Sequence, residues 1–242
     1  MRIKGKTMYC AIMGDIIDSR NIIEDRSAVQ ERYKAAMQSI NDQYKNVIES
    51  NLSIIEGDGF YGLLHSPEKL MDILLDIRLA ILPYQIRIGI GIGDIGTVII
   101  KDESNVIDGR ANATAREAID CLSENKKKYE TVYRTTMLMI DDKAYDQAAD
   151  SKTIKMCKTY ETLINTIFCA CSGIEKKWNR IHADTIELKK EQYTQREIAV
   201  KLGITQPAVQ GRLAAADWYA YVLYLQTIES GLAELWKGVQ NA

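Results

Sequence analysis

The sequence is poor in the residues that mark several classes of protein. It has only three prolines and two histidines, and its five cysteines are an odd number. No apolar run approaches the roughly 20 residues that cross a bilayer, so we expect a cytoplasmic protein without a membrane partner. Cys169 and Cys171 lack the two-residue gap of a zinc or redox pair, which predicts reduced and mostly buried thiols.

The composition is that of a globular chain. Its 242 residues are 46% apolar and carry a net charge of −2, which is enough for one large or two modest domains. Residues 151–242 hold 12 Lys and Arg against 9 Asp and Glu, so the C-terminal part is mildly basic. This balance permits a nucleic-acid partner without proving one.

Two acidic residues are predicted at the ends of strands. The apolar run 9–16 predicts a buried strand that ends at Asp15, and residues 52–56 predict a second strand that leads to Asp58 and returns as a hairpin through 60–64. Carboxylates that meet across adjacent strands are hard oxygen ligands for a divalent cation, with coordination sites left for phosphate oxygens.

Further helices and strands follow from periodicity and glycine placement. Helices are expected at about 24–50, from Pro67 to about 81, from 107 to about 124, and almost throughout beyond Met137. Strands are expected at 84–93 and 96–100, with an edge strand at 131–135. Glycine at alternate positions of the strand 84–93 leaves one face bare, so either a helix packs very close or a ligand lies over it.

These elements predict an α+β fold in two domains. Residues 1–145 would form a ferredoxin-like, antiparallel-rich sheet with helices on one face, and residues 146–242 an all-α domain. The all-α domain is predicted to contain a helix-turn-helix at about 194–215. The aromatic run 218–225 favours a homodimer, because it has more aromatic surface than a small module buries.

The helix-turn-helix prediction depends on capping residues. Thr194 and Glu197 form a capping box, Gly203 makes the turn and Thr205 caps the second helix. The second helix would enter a DNA major groove, where the expected contacts are Gln206 and Gln210 to bases and Arg196, Lys201 and Arg212 to phosphates. The alternative is a helical hairpin that serves only protein contacts.

The segments Gly14-Asp15-Ile16 and Gly57-Asp58, the glycine-rich strand, and Gly109 followed by Asn112 and Arg116 resemble the catalytic core of class III nucleotide cyclases. The resemblance implies that Asp15 and Asp58 bind Mg²⁺ or Mn²⁺ that holds a nucleoside triphosphate, and that Asn112 and Arg116 stabilise the transition state. It also implies a nucleotide-lining role for Gly14, Ile16, Gly57 and Gly109. Cyclases of this type usually build the site from two subunits, so the aspartates would then face Asn112 and Arg116 of the partner subunit.

A second resemblance covers nearly the whole chain. Residues 14–20, 57–64 and 115–118, together with the C-terminal helix-turn-helix, resemble the SatD family of bacterial proteins, whose name implies no reaction. The chain differs from the cyclases because Ile54 stands near the place of the base-reading lysine, and the downstream phosphate-binding lysine has no clear counterpart.

Three functions are consistent with these patterns. The missing lysines favour a DNA-binding transcription regulator whose cyclase-like domain binds a nucleotide or related phosphate. The retained aspartates and the Asn/Arg pair keep open a metal-dependent enzyme that converts a nucleoside triphosphate. The third function is a cyclase-like scaffold that only assembles with partners.

Each candidate site residue also has an alternative structural role. Asp15 and Asp58 would cap turns, and Asp18 could replace either of them as a ligand or simply cap a helix. Arg116 could pair with a nearby glutamate, Glu117 or Glu56. Asn112 could be an ordinary polar residue in the first turn of its helix.

Overall fold

The computed structural model describes residues 7–19, 26–55, 58–102, 104–128, 133–142 and 151–240. The strands are β1 (Met8–Ile16), β2 (Ile48–Ile55), β3 (Gly59–Leu64), β4 (Ile86–Asp94) and β5 (Thr136–Ile140). The helices are α1 (Arg26–Gln43), α2 (Leu70–Ile81), α3 (Arg110–Lys128), α4 (Ser151–Glu175), α5 (Arg180–Lys190), α6 (Gln195–Leu202), α7 (Gln206–Ala215) and α8 (Trp218–Gln240). A short 3-10 helix, Ser104–Val106, precedes α3.

The strands form one mixed sheet in the order β2-β3-β1-β4-β5. β1 is central and runs antiparallel to both β3 and β4, and β5 adds in parallel to β4. The chain from β1 to β4 follows the β-α-β-β-α-β order of ferredoxin-like folds. The predicted α+β class is therefore confirmed.

Helices cover both faces of the sheet, which corrects the prediction of helices on one face. Ile12 and the other residues of β1 that share its face belong to the large core formed with α1 and α2. Ala11 and Met13 point to the opposite face and pack against Ala111 and Ala115 of α3. The extra layer forms because α3 fits the bare face of β4.

The alternating glycines of β4 are explained by this close packing. A Cβ atom at Gly91 would overlap the carbonyl oxygen of Ala111, and one at Gly89 would overlap that of Ala115. Of the two interpretations of the bare face, close packing of a helix is therefore the one that the structure shows, and no ligand is needed over β4 to explain the glycines.

Two strand predictions were wrong. Residues 96–100 form no strand. The residue before them, Ile95, forms an isolated β-bridge with Gly109. The edge strand is Thr136–Ile140 instead of 131–135, of which 131 and 132 lie outside the described residues. Its five residues pair with Ile88–Ile92 of β4, a contact too distant in sequence for local periodicity to indicate.

The C-terminal helices share an apolar core with the sheet. One cluster of buried side chains runs from β1 and β4 through α4 to α8. Trp218 and Tyr221 are buried inside the chain, so the aromatic run leaves only Tyr219 and Leu223 as large exposed apolar residues at 218–225. The proposed domain boundary at 145/146 falls outside the described residues. No helix in the described part of the chain is both long and apolar enough to span a bilayer.

A buried ion pair joins the sheet to these helices. Arg78 Nε of α2 lies 3.1 Å from Glu175 Oε1 of α4, and both side chains are only 6% exposed. Arg78 also donates to Thr136 Oγ1 and to the Ile86 carbonyl oxygen. Tyr221 of α8 donates to Glu175 Oε1 at 2.8 Å. The pair therefore fixes two strands and three helices together.

We expect Glu175→Gln to destabilise the protein by about 3–5 kcal/mol, because it leaves the Arg78 charge buried without its counter-ion. The measurement is urea unfolding followed by circular dichroism. Asp217→Asn is the control, since Asp217 pairs with Lys177 at the surface and its loss should cost about 1 kcal/mol or less. Equal effects of the two substitutions would contradict the role assigned to the buried pair.

Candidate functional site

Two aspartates lie at neighbouring strand ends in the middle of the sheet. Asp15 is the penultimate residue of β1, where its Cα faces Gly59 of β3 and Arg87 of β4. Asp58 directly precedes β3. Because β1 and β3 are antiparallel, the end of one and the start of the other coincide. We call Asp15 and Asp58 the carboxylate pair.

Asp15 lies in a polar environment that does not satisfy all of its oxygens. Arg87 Nε is 3.4 Å from Asp15 Oδ1, close enough for an ion pair, but Oδ1 is buried and accepts no hydrogen bond from the described residues. Burial raises the pKa of the Asp15 carboxyl, Arg87 lowers it and the charge of Asp58 raises it, so that the pKa is raised overall. The two carboxylates therefore repel each other across the end of β1.

This arrangement fits a divalent cation that is also held by a ligand. Mg²⁺ is commonly bound by one or two carboxylates together with phosphate oxygens, and a buried carboxylate oxygen without a donor is suited to a cation. No cluster of three or more His, Cys, Asp or Glu side chains occurs among the described residues. A cation at the carboxylate pair would therefore need oxygens from phosphate or water.

A cleft of about 870 Å³ lies on the same face of the sheet as α3. Its walls come from β2, Tyr61 of β3 and the first turns of α3, together with Asp102, Ser104, Val106, Ile107 and Asp108. Asn112 and Arg116 line this cleft, whereas Asp15 and Asp58 are not among its described lining residues. We call it the α3 cleft. Its volume lies within the range of small-molecule sites.

Asn112 is buried, and both ends of its side-chain amide form internal hydrogen bonds. Its Oδ1 accepts a hydrogen bond of 2.5 Å from the hydroxyl of Tyr61, and its Nδ2 donates to the carbonyl oxygen of Ile107. Its side chain is only partly available to a ligand, since both ends of the amide are in use. Within one chain, Asn112 is therefore a polar residue in the first turn of α3 whose hydrogen bonds are internal.

Arg116 is exposed at the mouth of the α3 cleft. It forms no ion pair or hydrogen bond with any described residue, so the expected pairing with Glu117 is not present, and Glu56 lies outside the described residues. An arginine in this state keeps all five donors for an anion. It is the cationic group of this cleft.

The predicted nucleotide-lining residues have clear packing roles. A Cβ at Gly14 would overlap the ring of Phe60, and one at Gly109 would lie 2.6 Å from the Cα of Ile95. Ile16 is buried in the core. Gly57 lies outside the described residues. These contacts do not test a role in ligand binding, which stays a prediction.

Sequence reasoning missed several residues around the carboxylate pair. Arg87 lies two residues before the first glycine of β4, and its place opposite Asp15 depends on strand register. Tyr33 belongs to the regularly spaced apolar positions of α1. Neither Arg87 nor Tyr33 shows a local sequence signal for a site. Asp18, which the sequence offered as an alternative ligand, has a left-handed backbone with φ 56°.

The helices α6 and α7 have the predicted caps. Thr194 and Glu197 form a reciprocal capping box, Thr205 caps α7, and Gly203 ends α6 with φ 64°. Ile198 and Val209 are fully buried between them. We call these two helices the α6–α7 pair.

The predicted DNA contacts lie on or near the surface of the α6–α7 pair. Arg196, Lys201, Gln206 and Gln210 are exposed, and Arg212 is half-buried. Lys201 Nζ lies 4.2 Å from the centre of the Tyr193 ring. Gln206 donates to Gln195 at 3.4 Å. Their contacts to DNA stay predictions.

Three solved structures resemble parts of the chain. The catalytic core of a rhodopsin-guanylyl cyclase with converted specificity, in complex with ATPαS, is 18% identical over 48% of this chain and 72% of its own, with a TM-score of 0.37. The guanylate cyclase domain of RhGC from Catenaria anguillulae in complex with GTP is 17% identical over 46% and 71%, with a TM-score of 0.35. A bacterial light-regulated adenylyl cyclase is 15% identical over 55% and 75%, with a TM-score of 0.38.

The sequence comparisons place the chain in a family. No curated protein matches it in sequence. The model of the SatD family, in contrast, matches residues 9–230, which include both the carboxylate pair and the α6–α7 pair. Since this match spans most of the sequence, the chain belongs to the SatD family.

Proposed function

We propose that this protein binds a nucleoside triphosphate or related phosphate with Mg²⁺ or Mn²⁺ at the carboxylate pair, and that it regulates transcription through DNA contacts of the α6–α7 pair. The observation that carries the proposal is the buried Oδ1 of Asp15, which lacks a hydrogen-bond donor among the described residues while the Asp58 carboxylate repels it. A divalent cation offsets this repulsion and can coordinate Oδ1, whose contact with Arg87 is an ion pair of 3.4 Å without a hydrogen bond.

The phosphate contacts would come from arginine. Arg116 keeps its guanidinium exposed on α3, where bidentate contacts to phosphate oxygens are available. Within one chain, Arg116 lines the α3 cleft and the carboxylate pair does not. A homodimer that brings the Arg116 of one subunit to the carboxylate pair of the other would assemble a complete site.

Binding without turnover is favoured over catalysis by the state of Asn112. Its amide is held by Tyr61 and Ile107, so it would have to give up internal hydrogen bonds to stabilise a transition state. Ile54 lines the α3 cleft near the place where the resemblance calls for a base-reading lysine. The alternative function, an active nucleotide cyclase or nucleotidyl-transfer enzyme, depends on the exposed Arg116.

The DNA role is supported by the surface of α7. Gln206 and Gln210 are four residues apart and both exposed, so one face of α7 presents two amides that can contact base edges. Arg196 and Lys201 of α6 are exposed cations of the kind that contact phosphates. The mildly basic composition of residues 151–242 is consistent with this partner.

The first test is thermal unfolding with ATP or GTP and Mn²⁺. At 100 times the dissociation constant, a bound ligand should raise the midpoint by roughly 5–10 °C for a chain of this size. Asp58→Asn should remove most of this shift, because the cation loses one of its two carboxylates. Asp42→Asn, an exposed aspartate of α1, should leave the shift intact.

Product analysis of the same samples separates the two functions. If a cyclic nucleotide forms and its formation depends on Asp58, the protein is an enzyme and the proposal of a regulator without turnover is wrong. No shift with either nucleotide at millimolar concentration would overturn the proposed role of the carboxylate pair.

A mixing experiment tests whether two subunits share the site. We expect Asp58→Asn and Arg116→Ala chains each to bind little nucleotide in equilibrium dialysis. After unfolding and refolding together they should recover about a quarter of the wild-type sites, because half of random dimers are mixed and each has one intact site. If the mixture binds no more than the separate variants, the site lies within one chain.

The DNA role is tested by binding to a pool of random 30-base-pair duplexes, measured by fluorescence anisotropy at several salt concentrations. Arg196→Ala should weaken binding to all sequences and reduce the salt slope by about one, because one phosphate contact is lost. Gln210→Ala should change the sequences selected from the pool without changing the slope. An equal effect of Lys237→Ala, on the exposed surface of α8, would argue against the α6–α7 pair.

A further inference from the structure

Tyr33 is a buried tyrosine whose hydroxyl is not explained by the packing of the core. It lies on α1, with only 1% of its surface exposed. Its ring meets the ring of Phe60 edge-on, with centroids 6.4 Å apart and planes at 85°. Phe60 in turn fills the space that the missing side chain of Gly14 leaves, one residue before Asp15. The tyrosine is thus packed beneath the end of β1.

The hydroxyl of Tyr33 is unsatisfied. It is buried and has no hydrogen-bond partner among the described residues. A phenylalanine would make the same ring contacts without burying a polar atom, and an unmade hydrogen bond to a buried donor costs stability. Buried hydroxyls of this kind call for a specific reason, such as a ligand that is bound in another state of the protein.

The electrostatic surroundings of this hydroxyl point to the carboxylate pair. Burial raises the pKa of Tyr33 first of all, and the charges of Asp58 and Asp15 raise it further, so the phenol stays protonated. The two acidic groups whose charges raise the pKa of Tyr33 are the two members of the carboxylate pair. They do so although α1 and α3 cover opposite faces of the sheet. The ring contacts from Tyr33 to Phe60 and from Phe60 to Gly14 place this neutral donor at the end of β1 that carries Asp15.

Other tyrosines of the same region have satisfied hydroxyls. Tyr44, the residue directly after α1, donates to Asp76 at 2.7 Å, and Tyr61 donates to Asn112. Tyr33 and Tyr44 are both buried in the same core, and of these two residues only Tyr33 lacks an acceptor.

We propose that Tyr33 is a further binding residue of the Asp15/Asp58 site, where its hydroxyl donates a hydrogen bond to an oxygen held by the cation, from water or from phosphate. The inference rests on the proposed function, since it needs a cation at the carboxylate pair. In the free protein the donor is kept ready at a cost in stability, and binding satisfies it. Tyr33 thus adds ligand contact from α1, the helix beneath the sheet edge.

The test compares Tyr33→Phe with Tyr44→Phe. Tyr33→Phe should leave the unfolding midpoint of the free protein unchanged or slightly raised, because an unpaired buried hydroxyl is removed. It should weaken Mn²⁺ binding about tenfold, the usual effect of losing a hydrogen bond to a charged group. Tyr44→Phe should lower the midpoint and leave Mn²⁺ binding unchanged. Binding is measured by the paramagnetic resonance signal of free Mn²⁺.

Two titrations identify the source of the oxygen. If Tyr33→Phe weakens the binding of Mn²⁺ alone, the acceptor is metal-bound water. If Tyr33→Phe weakens binding only when Mn²⁺ and ATP are present together, the acceptor is a phosphate oxygen. Either result supports the proposal.

The outcomes that overturn the inference differ from those that overturn the proposed function. If Asp58→Asn abolishes Mn²⁺ binding and Tyr33→Phe binds as the wild type does in both titrations, the site is real and Tyr33 is not part of it. If the wild type binds neither Mn²⁺ nor its ATP complex, the proposed function and this inference both fail. A large fall in the midpoint of free Tyr33→Phe would also contradict the inference, because it would show that the hydroxyl already has a partner.

Discussion

The buried ion pair between Arg78 and Glu175 is the contact on which the placement of the C-terminal helices depends. Taking two charges out of water is costly, and the cost is offset only when each charge finds its partner and several hydrogen bonds. Here the partners come from α2, β4, β5, α4 and α8. The sheet and the helices α4 and α8 are therefore linked by one buried polar network.

Local chemistry explains which parts of the fold the sequence could predict. The caps at Thr194 and Thr205 involve residues three positions apart, and the turn at Gly203 needs a single residue with positive φ. The strand that ends at Asp15 is likewise a short apolar run followed by glycine and an acid. All of these features are contained in windows of a few residues, so periodicity and capping rules recover them.

The predictions that were wrong concern contacts between parts of the chain that are far apart in sequence. The strand Thr136–Ile140 exists because β4 offers a free edge about 48 residues earlier in the chain, and α3 covers the second face because glycines of β4 accept it. In the site, the acidic residues and Arg116 were visible in the sequence, whereas Arg87 and Tyr33 were not. Their positions near the end of β1 depend on strand register and on which helix packs beneath the strand end, and no local pattern records either.

The proposed regulator also needs a contact path between the ligand and the DNA-binding surface, and the helices provide one. α5 packs against both α6 and α7, and its Lys190 bonds to Asp76 of α2 and lies 3.3 Å from the hydroxyl of Tyr44, the residue directly after α1. α1 also carries Tyr33. A ligand that favours one position of α1 over another would thereby act on α5 through direct polar contacts, which is what a shift between two states requires.

The close approach of α3 to β4 limits which amino-acid substitutions the chain can accept during evolution. The backbone of the helix rests on the strand at Gly89, Gly91 and Gly93, with Ala111 and Ala115 opposite. An added methyl group on the strand would meet main-chain atoms of the helix, and no smaller helix residue could make room for it without moving α3. Because Arg116 lies on that helix, substitutions at the three glycines would also move a residue that we propose to bind phosphate.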